Sequence, residues 1–213
     1  MQKHLMWLAA ALIALAATPA VKAEVIFTAN LTNDQETPHL VIPTTTTGAP
    51  RPASFGEATF VLADDMLSLT MEVTIFNIDV TGTQTDDIFD NLVNAHIHAP
   101  APAGATAGVV WGFFGTPDND NNPDDLVVTP FASAVGGTFS SVWNAPEGNA
   151  GTTLTAQIPN LMAGLAYINF HTVQYGAGEI RGQILRVPEP GTLALFLTGL
   201  AGLGFSRRKR AGR

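Results

Sequence analysis

The sequence predicts an all-β fold: an antiparallel β-sandwich with Greek-key-like connections, forming a single domain over residues 24–187. Five apolar residues alternate with four polar ones in the segment 67–75, which is typical of a strand with one buried face. Other short runs of β-branched and aromatic residues are separated by clusters of Gly, Pro and Asn, which indicates seven to nine strands. Helical periodicity is sparse, and only the segment 159–164 predicts a helical turn.

Six further segments have the composition expected of strands. They are 25–28, 58–62, 109–114, 153–158, 166–172 and 179–185. Two stretches are predicted to be loops, since 39–52 is rich in Pro and Thr and 116–125 is rich in Asp and Asn. The chain contains no cysteine, so hydrophobic packing must hold this domain together without disulfides.

The predicted domain is strongly acidic. Between residues 24 and 187 there are three arginines and seventeen carboxylates, which gives a net charge of −14. Such a surface repels a phosphate backbone, so we expect no nucleic acid among the partners. The absence of cysteine also excludes thiolate catalysis and cysteine-ligated zinc, whereas divalent cations and neutral glycans remain compatible with the composition.

Residues 1–23 have the three parts of a secretory signal peptide. Lys3 gives a positive start, the segment 5–17 is an apolar helix-forming run, and Pro19 breaks the helix before the small residues near Ala23. A retained N-terminal anchor is the alternative interpretation, but the apolar run is shorter than the roughly 20 residues of a membrane-spanning helix. We therefore expect cleavage by signal peptidase and export.

Residues 188–213 form a second distinct segment. Pro188, Glu189 and Pro190 make a rigid, non-helical break, and the uncharged apolar segment 192–205 that follows predicts a hydrophobic helix. A basic stop at the cytoplasmic side ends this helix; its residues are Arg207, Arg208, Lys209 and Arg210. A plain C-terminal membrane anchor is the alternative interpretation.

The order of break, apolar helix and basic stop resembles the PEP-CTERM sorting signal of Gram-negative bacteria. The resemblance covers residues 187–213. It implies that an exosortase, a membrane protease-transpeptidase, processes the chain near Pro188, Glu189 and Pro190. The protein would first be held in the inner membrane by its C-terminal helix, and would then reach the cell surface or the extracellular matrix.

Three histidines are candidate metal ligands. His96 and His98 are two residues apart on a predicted strand, so their imidazoles point to the same side. His171 lies in a second strand, on the same face as Tyr167 and Asn169. If the three imidazoles converge, they form a three-nitrogen site for copper or zinc. Otherwise they are polar residues satisfied by nearby carbonyls and carboxylates.

An acidic loop offers a weaker cation site. Four oxygen-bearing residues alternate along it as the ligands of a calcium loop do: Asp118, Asp120, Asn122 and Asp124. The loop lacks a glycine at the sixth position and has Thr129 where the twelfth position requires glutamate, so it is not an EF-hand. A weakly bound calcium ion and a solvated turn are the two interpretations.

Glu179 and Arg181 are also two residues apart on a predicted strand. A carboxylate and a guanidinium on the same face usually pair with each other or with a neighbouring strand. We interpret them as a structural pair that fixes strand register, and not as catalytic groups. The sequence contains no nucleophile elbow, phosphate loop or zinc-protease helix motif.

Several motifs together resemble the CHRD domain, a family first named from chordin. They are 27–31 with 35–38, 56–60, the His-Ile-His sequence 96–98, 108–110, 167–172 and 178–183. The acidic segments 86–90 and 118–125 depart from the family pattern. The resemblance implies an extracellular β-sandwich and does not imply catalysis. The His-Ile-His strand is also similar to the copper-binding strand of Cu/Zn superoxide dismutases.

These features predict an exported, non-catalytic binding or scaffolding module of the bacterial envelope or extracellular matrix, with exopolysaccharide or an envelope component as partner. The alternative is a copper- or zinc-binding protein with a redox role, in which His96, His98 and His171 hold the ion. Trp111 and Trp143 would form a glycan platform if exposed, but large aromatic residues of this kind usually belong to the core.

Overall fold

In the computed structural model of this protein, the described residues are 24–38 and 40–188. The predicted signal peptide, Glu189, Pro190, the apolar run 192–205 and the basic stop lie outside the described residues. Within the described part of the chain, no helix is long and apolar enough to cross a membrane.

The prediction of an all-β antiparallel fold is confirmed. One sheet contains nine strands: β1 Val25–Thr32, β2 Phe55–Leu62, β3 Ser68–Phe76, β4 Leu92–His98, β5 Val109–Phe114, β6 Val127–Pro130, β7 Gly136–Asn144, β8 Ala166–Thr172 and β9 Ile180–Arg186. Their order across the sheet is β5-β4-β8-β9-β1-β2-β3-β7-β6. The described helical elements are α1 (Leu154–Met162) and two short 3-10 turns, Asn33–Gln35 and Ile88–Asp90.

The sheet curls so that its two ends pack against each other and enclose the core. Trp111 of β5 stacks on Trp143 of β7, near the opposite end of the sheet, with ring centroids 5.4 Å apart. Phe113 of β5 meets Phe139 of β7 edge to face across the same core. The two packed layers are therefore halves of one continuous sheet. Both tryptophans are fully buried, so they are core residues and form no exposed glycan platform.

The alternating segment forms β3, and its apolar side chains fill the middle of the core. Leu69, Met71, Val73 and Ile75 are all buried, and burial of each such side chain stabilises the fold by about 1.5–3 kcal/mol. Leu67, the first residue of the alternation, precedes the strand and is 54 % exposed.

The prediction of a strand at 153–158 is wrong, because these residues begin α1. Thr153 caps the helix, since its hydroxyl accepts a hydrogen bond from the backbone N–H of Ala156 at 3.3 Å. Leu154, Ile158 and Leu161 pack against the core at helical spacing. Leu154 and Ile158 are four residues apart, a spacing that satisfies both the strand period and the helix period.

β7 is missing from the predicted strands although it has nine residues. Its inward face carries Gly137, Phe139, Ser141 and Trp143, all buried. Glycine and serine interrupt the apolar alternation, which is why the pattern is not visible in the sequence. Ser141 lies inside because its hydroxyl donates to the buried carboxylate of Asp120.

The first and last strands of the domain lie side by side. β1 pairs with β9 in antiparallel fashion, with Phe27 opposite Arg186. The backbone N–H of Val187 donates to the carbonyl of Ile26 at 2.8 Å, which extends the pairing to the residue before Pro188.

β8 is buried on both faces. Ile168 and Phe170 contribute to the hydrophobic core. The alternate residues Tyr167, Asn169 and His171 point to the outer face of the sheet, yet all three are buried as well. Loops must therefore cover this outer face, and the candidate site lies beneath them.

Candidate metal centre

The antiparallel pairing of β4 with β8 places the three histidines on one covered face. His98 lies opposite Tyr167, and His96 lies opposite Asn169. His171 follows two residues after Asn169, so it points to the same side of β8. The exposed fractions are 4 % for His96, 8 % for His98 and 7 % for His171. The structure thus brings the three predicted ligands together.

The nitrogens of the three imidazoles are spaced closely enough to approach a single ion. One nitrogen from each ring lies within 4.8 Å of the others, and the closest pair is His96 Nδ1 and His171 Nε2 at 3.1 Å. Bonds of about 2 Å limit two ligands of one ion to a separation of roughly 4 Å, so a bound ion would draw the widest pair slightly together. Among the described residues, no other group of three His, Asp or Glu side chains converges in this way.

A backbone carbonyl holds the far side of each imidazole. The contacts are His96 Nε2 to Thr116 O at 3.0 Å, His98 Nδ1 to Ala107 O at 3.0 Å and His171 Nδ1 to Gly176 O at 3.1 Å. A carbonyl oxygen only accepts hydrogen bonds, so the ring nitrogen beside it carries the proton. The unprotonated nitrogens are therefore the remaining ones: His96 Nδ1, His98 Nε2 and His171 Nε2.

The cluster has too few protons to satisfy its own contacts. A neutral imidazole has a single N–H, and the three carbonyls use all three. His96 Nδ1 and His171 Nε2 then meet lone pair to lone pair at 3.1 Å, while His98 Nε2 is buried without a hydrogen-bond partner. Buried acceptors that lack a donor cost free energy, so a cation among these nitrogens would stabilise the arrangement.

Burial keeps these imidazoles neutral at physiological pH. Desolvation lowers the pKa of His98 and of His171 to about 4, and it also lowers the pKa of His96. Neutral imidazole is the form that binds metal ions. At pH 7 the three side chains are therefore in the protonation state that a metal site requires.

A stack of planar groups supports His98 from one side. Tyr167 lies parallel to the His98 ring, with centroids 4.7 Å apart and an angle of 3° between the planes. Arg181 lies over the Tyr167 ring, with Cζ 3.8 Å from the ring centroid, and its Nη1 donates to Ala105 O at 2.8 Å. Because the same loop supplies Ala107 O to His98, the sheet and the loop between β4 and β5 fix each other in position.

Glu179 and Arg181 do not form the pair that was predicted. Glu179 binds Arg51, with the closest nitrogen and oxygen 2.6 Å apart, whereas Arg181 lies beside Glu36 with Nε 3.6 Å from Oε2. The pairing prediction is wrong because Glu179 precedes β9, where the two-residue period of a strand no longer applies. The loop between β1 and β2 supplies a separate partner to each.

The four calcium candidates do not converge either. Asp120 is buried against Ser141, whereas Asp118, Asn122 and Asp124 are exposed. Asp118 instead accepts a hydrogen bond from the backbone N–H of Asp120 at 3.2 Å. The alternation does not produce a ring of ligands because the loop turns Asp120 into the domain.

Sequence reasoning missed the loop residues Arg51 and Glu36, which reach the edge of the candidate site. The side chain of Arg51 is 7 % exposed, and a buried guanidinium requires a carboxylate partner. A domain with only three arginines and seventeen carboxylates offers a usable signal, since each arginine is a candidate for a specific ion pair.

The comparisons with known families agree with this architecture. Residues 27–184 match the CHRD domain. The chain belongs to the CHRD family. All three histidines lie inside the matched CHRD region. Residues 186–210 match the PEP-CTERM protein-sorting motif. Both resemblances seen in the sequence are thereby confirmed, and this CHRD-domain chain is an exported protein sorted by an exosortase-type system. No curated protein and no solved structure matches the chain.

Proposed function

We propose that the CHRD domain of this exported protein is a non-catalytic module that binds one copper or zinc ion through His96, His98 and His171. The observation that carries the proposal is the shortage of protons in the cluster. Three carbonyls use the three N–H groups of neutral imidazoles, and the three remaining lone pairs lie inside. Copper and zinc both accept imidazole nitrogen as a ligand.

The arrangement has the outer contacts of a metal-ligating histidine. In such sites the nitrogen that does not bind the ion donates to a carboxylate, a backbone carbonyl or water, which fixes the tautomer and the ring orientation. Each of the three rings has this contact, from a different loop. The orientation of all three rings is therefore set before an ion arrives.

Burial of the cluster supports a structural ion over a catalytic one. Structural sites are closed, whereas catalytic sites keep an open position for water or substrate. None of the three histidines is more than 8 % exposed. This burial favours the non-catalytic interpretation over the redox role suggested by the likeness of the His-Ile-His strand to superoxide dismutases.

A bound metal ion would stabilise the loops of a scaffolding domain that acts outside the cytoplasm. The domain has no cysteine, so no disulfide can hold its loops. An ion bound by β4 and β8 would also fix, through the carbonyl contacts, the loops that carry Thr116, Ala107 and Gly176. We extend the proposal to a scaffolding role at the cell surface or in the extracellular matrix, with exopolysaccharide or an envelope component as partner.

Metal analysis of the full-length chain tests this function. The protein is treated with chelator, incubated separately with Zn²⁺, Cu²⁺ and reduced copper, desalted and analysed for bound metal. We expect one ion per chain for the wild type, and a loss of that ion in His96→Ala and in His171→Ala because each variant removes one of the three lone pairs of the cluster.

Asn30→Ala, at an exposed position of β1, is the control, since it leaves all three histidines in place. It should keep the full stoichiometry. The proposal would be overturned by a wild-type chain that takes up none of the three ions, or by cluster variants that bind as much metal as the control.

A further inference from the structure

Asn169 lies beside the three histidines, although asparagine is a less common metal ligand than His, Cys, Asp or Glu. It lies opposite His96 in the β4–β8 pairing and two residues before His171 on the same face. Side chains directly opposite each other in an antiparallel pair have Cβ atoms roughly 5 Å apart. Asn169 is 1 % exposed, so its amide is enclosed with the imidazoles.

The orientation of the Asn169 amide is fixed by a carboxylate. Asn169 Nδ2 donates to Glu36 Oε1 at 2.9 Å, and a carboxylate can only accept, so the NH₂ side of the amide must face Glu36. A Cβ atom placed on Gly178 would lie 2.3 Å from Asn169 Nδ2 and 2.5 Å from Glu36 Oε1. Glycine at 178 therefore makes room for this contact.

The oxygen side of the amide is left without a donor. Asn169 Oδ1 is buried and makes no hydrogen bond, and the same is true of His98 Nε2. The two side chains are nevertheless diagonal neighbours on the covered face, because Asn169 lies opposite His96 and His98 is two residues further along β4. A second type of acceptor thus joins the lone pairs of the cluster, and no donor on the described chain serves either atom.

We propose that Asn169 Oδ1 is the fourth ligand of the ion, so that the centre is a four-coordinate site of three nitrogens and one oxygen. This inference rests on the proposed metal-binding function and deepens it. Four-coordinate geometry is the usual one for zinc, and an amide oxygen is a harder donor than the sulfur ligands that select monovalent copper. The site accordingly prefers a divalent ion.

Glu36 and Arg181 act as the outer support of this fourth ligand. Glu36 orients the amide, and the Arg181 guanidinium lies beside the Glu36 carboxylate, with Nε 3.6 Å from Oε2. Arg181 is itself held by Ala105 O and by the ring of Tyr167. The buried Glu36–Arg181 contact is therefore a positioning device for a metal ligand.

Asn169→Leu and Asn169→Asp in the full-length chain test the inference. Asn169→Leu removes the oxygen at similar volume, and we expect Zn²⁺ affinity, measured by chelator competition, to fall at least roughly tenfold. Asn169→Asp is made together with Glu36→Gln, so that an N–H still faces the side chain at position 169. This variant replaces a neutral oxygen with a charged one, and it should bind Zn²⁺ at least as tightly as the wild type. Asn30→Leu, at an exposed position of β1, is the control and should bind as the wild type does.

Cobalt(II) substitution gives an independent signal of coordination. We expect the visible absorption of the wild-type cobalt complex to have the intensity of a four-coordinate centre, and to change in Asn169→Leu but not in Asn30→Leu. Asn169→Asp with Glu36→Gln keeps the test informative if the leucine variant does not fold.

A wild type that binds no ion would refute the metal-binding function itself. A wild type that binds Zn²⁺ with an affinity matched by Asn169→Leu, or lost in Asn169→Asp with Glu36→Gln, would refute the fourth ligand alone.

Discussion

Two buried polar clusters meet at the end of β8, and they differ in how completely they satisfy themselves. The carboxylate of Glu179 accepts hydrogen bonds from Arg51, Ser54 and Thr172, so both of its oxygens have donors. The neighbouring cluster contains His171, the residue before Thr172 in β8. This histidine cluster has more hydrogen-bond acceptors than donors. A polar cluster that supplies its own partners holds the fold together, whereas one that lacks a donor points to a missing ligand.

The largest effect is expected from breaking the complete cluster. Arg51→Met would leave Glu179 buried, with 0 % of its side chain exposed and no cationic partner. Removal of one partner from a buried ion pair costs about 3–5 kcal/mol. Chemical denaturation should show this loss, whereas Arg186→Met at an exposed position of β9 should change the free energy of unfolding by less than about 1 kcal/mol.

A double variant separates the charge from the packing. Arg51→Met combined with Glu179→Leu removes both charges, and stability should recover in large part because no unpaired carboxylate remains. If Arg51→Met alone were as stable as the wild type, the Glu179 cluster would not be the structural element described.

The incomplete cluster should respond to metal, and the complete one should not. At an ion concentration 100 times the Kd, binding to the folded state alone raises the free energy of unfolding by about 2.7 kcal/mol. We expect this gain with Zn²⁺ in the wild type and in Arg51→Met, and none in His171→Ala. Thermal or chemical unfolding with and without the ion measures it, and an equal gain in His171→Ala would contradict the assignment.

A smaller effect is expected at a third buried polar group, Asp120, whose acidic neighbours resist its ionisation. Burial raises its pKa to about 6, and the nearby Asp125 and Glu147 carboxylates act in the same direction. The folded state therefore binds this proton more tightly than the unfolded state, in which the pKa is near 4. The resulting stabilisation is present below about pH 4 and is lost as the pH rises through 6.

Asp120→Asn removes this pH-dependent loss. We expect the variant to be more stable than the wild type by on the order of 1 kcal/mol at pH 7.5, after allowance for solvent screening. At pH 4 the two should differ little, because Asp120 is then protonated in the folded state. Denaturation curves at the two pH values measure the difference, and an equal gain at both would show that charge is not the cause.

The histidine cluster was predictable because it depends on local rules. The two-residue period of a strand put His96 and His98 on one side and put His171 beside Asn169. The all-β architecture followed for a similar reason, since segments such as 67–75 show their burial directly in the sequence. The convergence of the three imidazoles depends in addition on a long-range contact, the pairing of β4 with β8.

The supporting contacts were not predictable because loops supply them. Thr116, Ala107 and Gly176 act through backbone carbonyls, so their side chains give no indication of the role. Arg51 and Glu36 reach their partners from the connection between β1 and β2. Their positions depend on loop conformation, which has no periodic pattern in the sequence.

The pairing of the first strand with the last has a consequence for the order of events during export. β1 emerges first on the far side of the membrane, but its partner β9 ends only two residues before Pro188. The sheet cannot close between these two strands until almost the entire domain has been translocated. The last strand and the sorting motif are adjacent in the chain, so the fold cannot be complete before the sorting motif has reached the membrane.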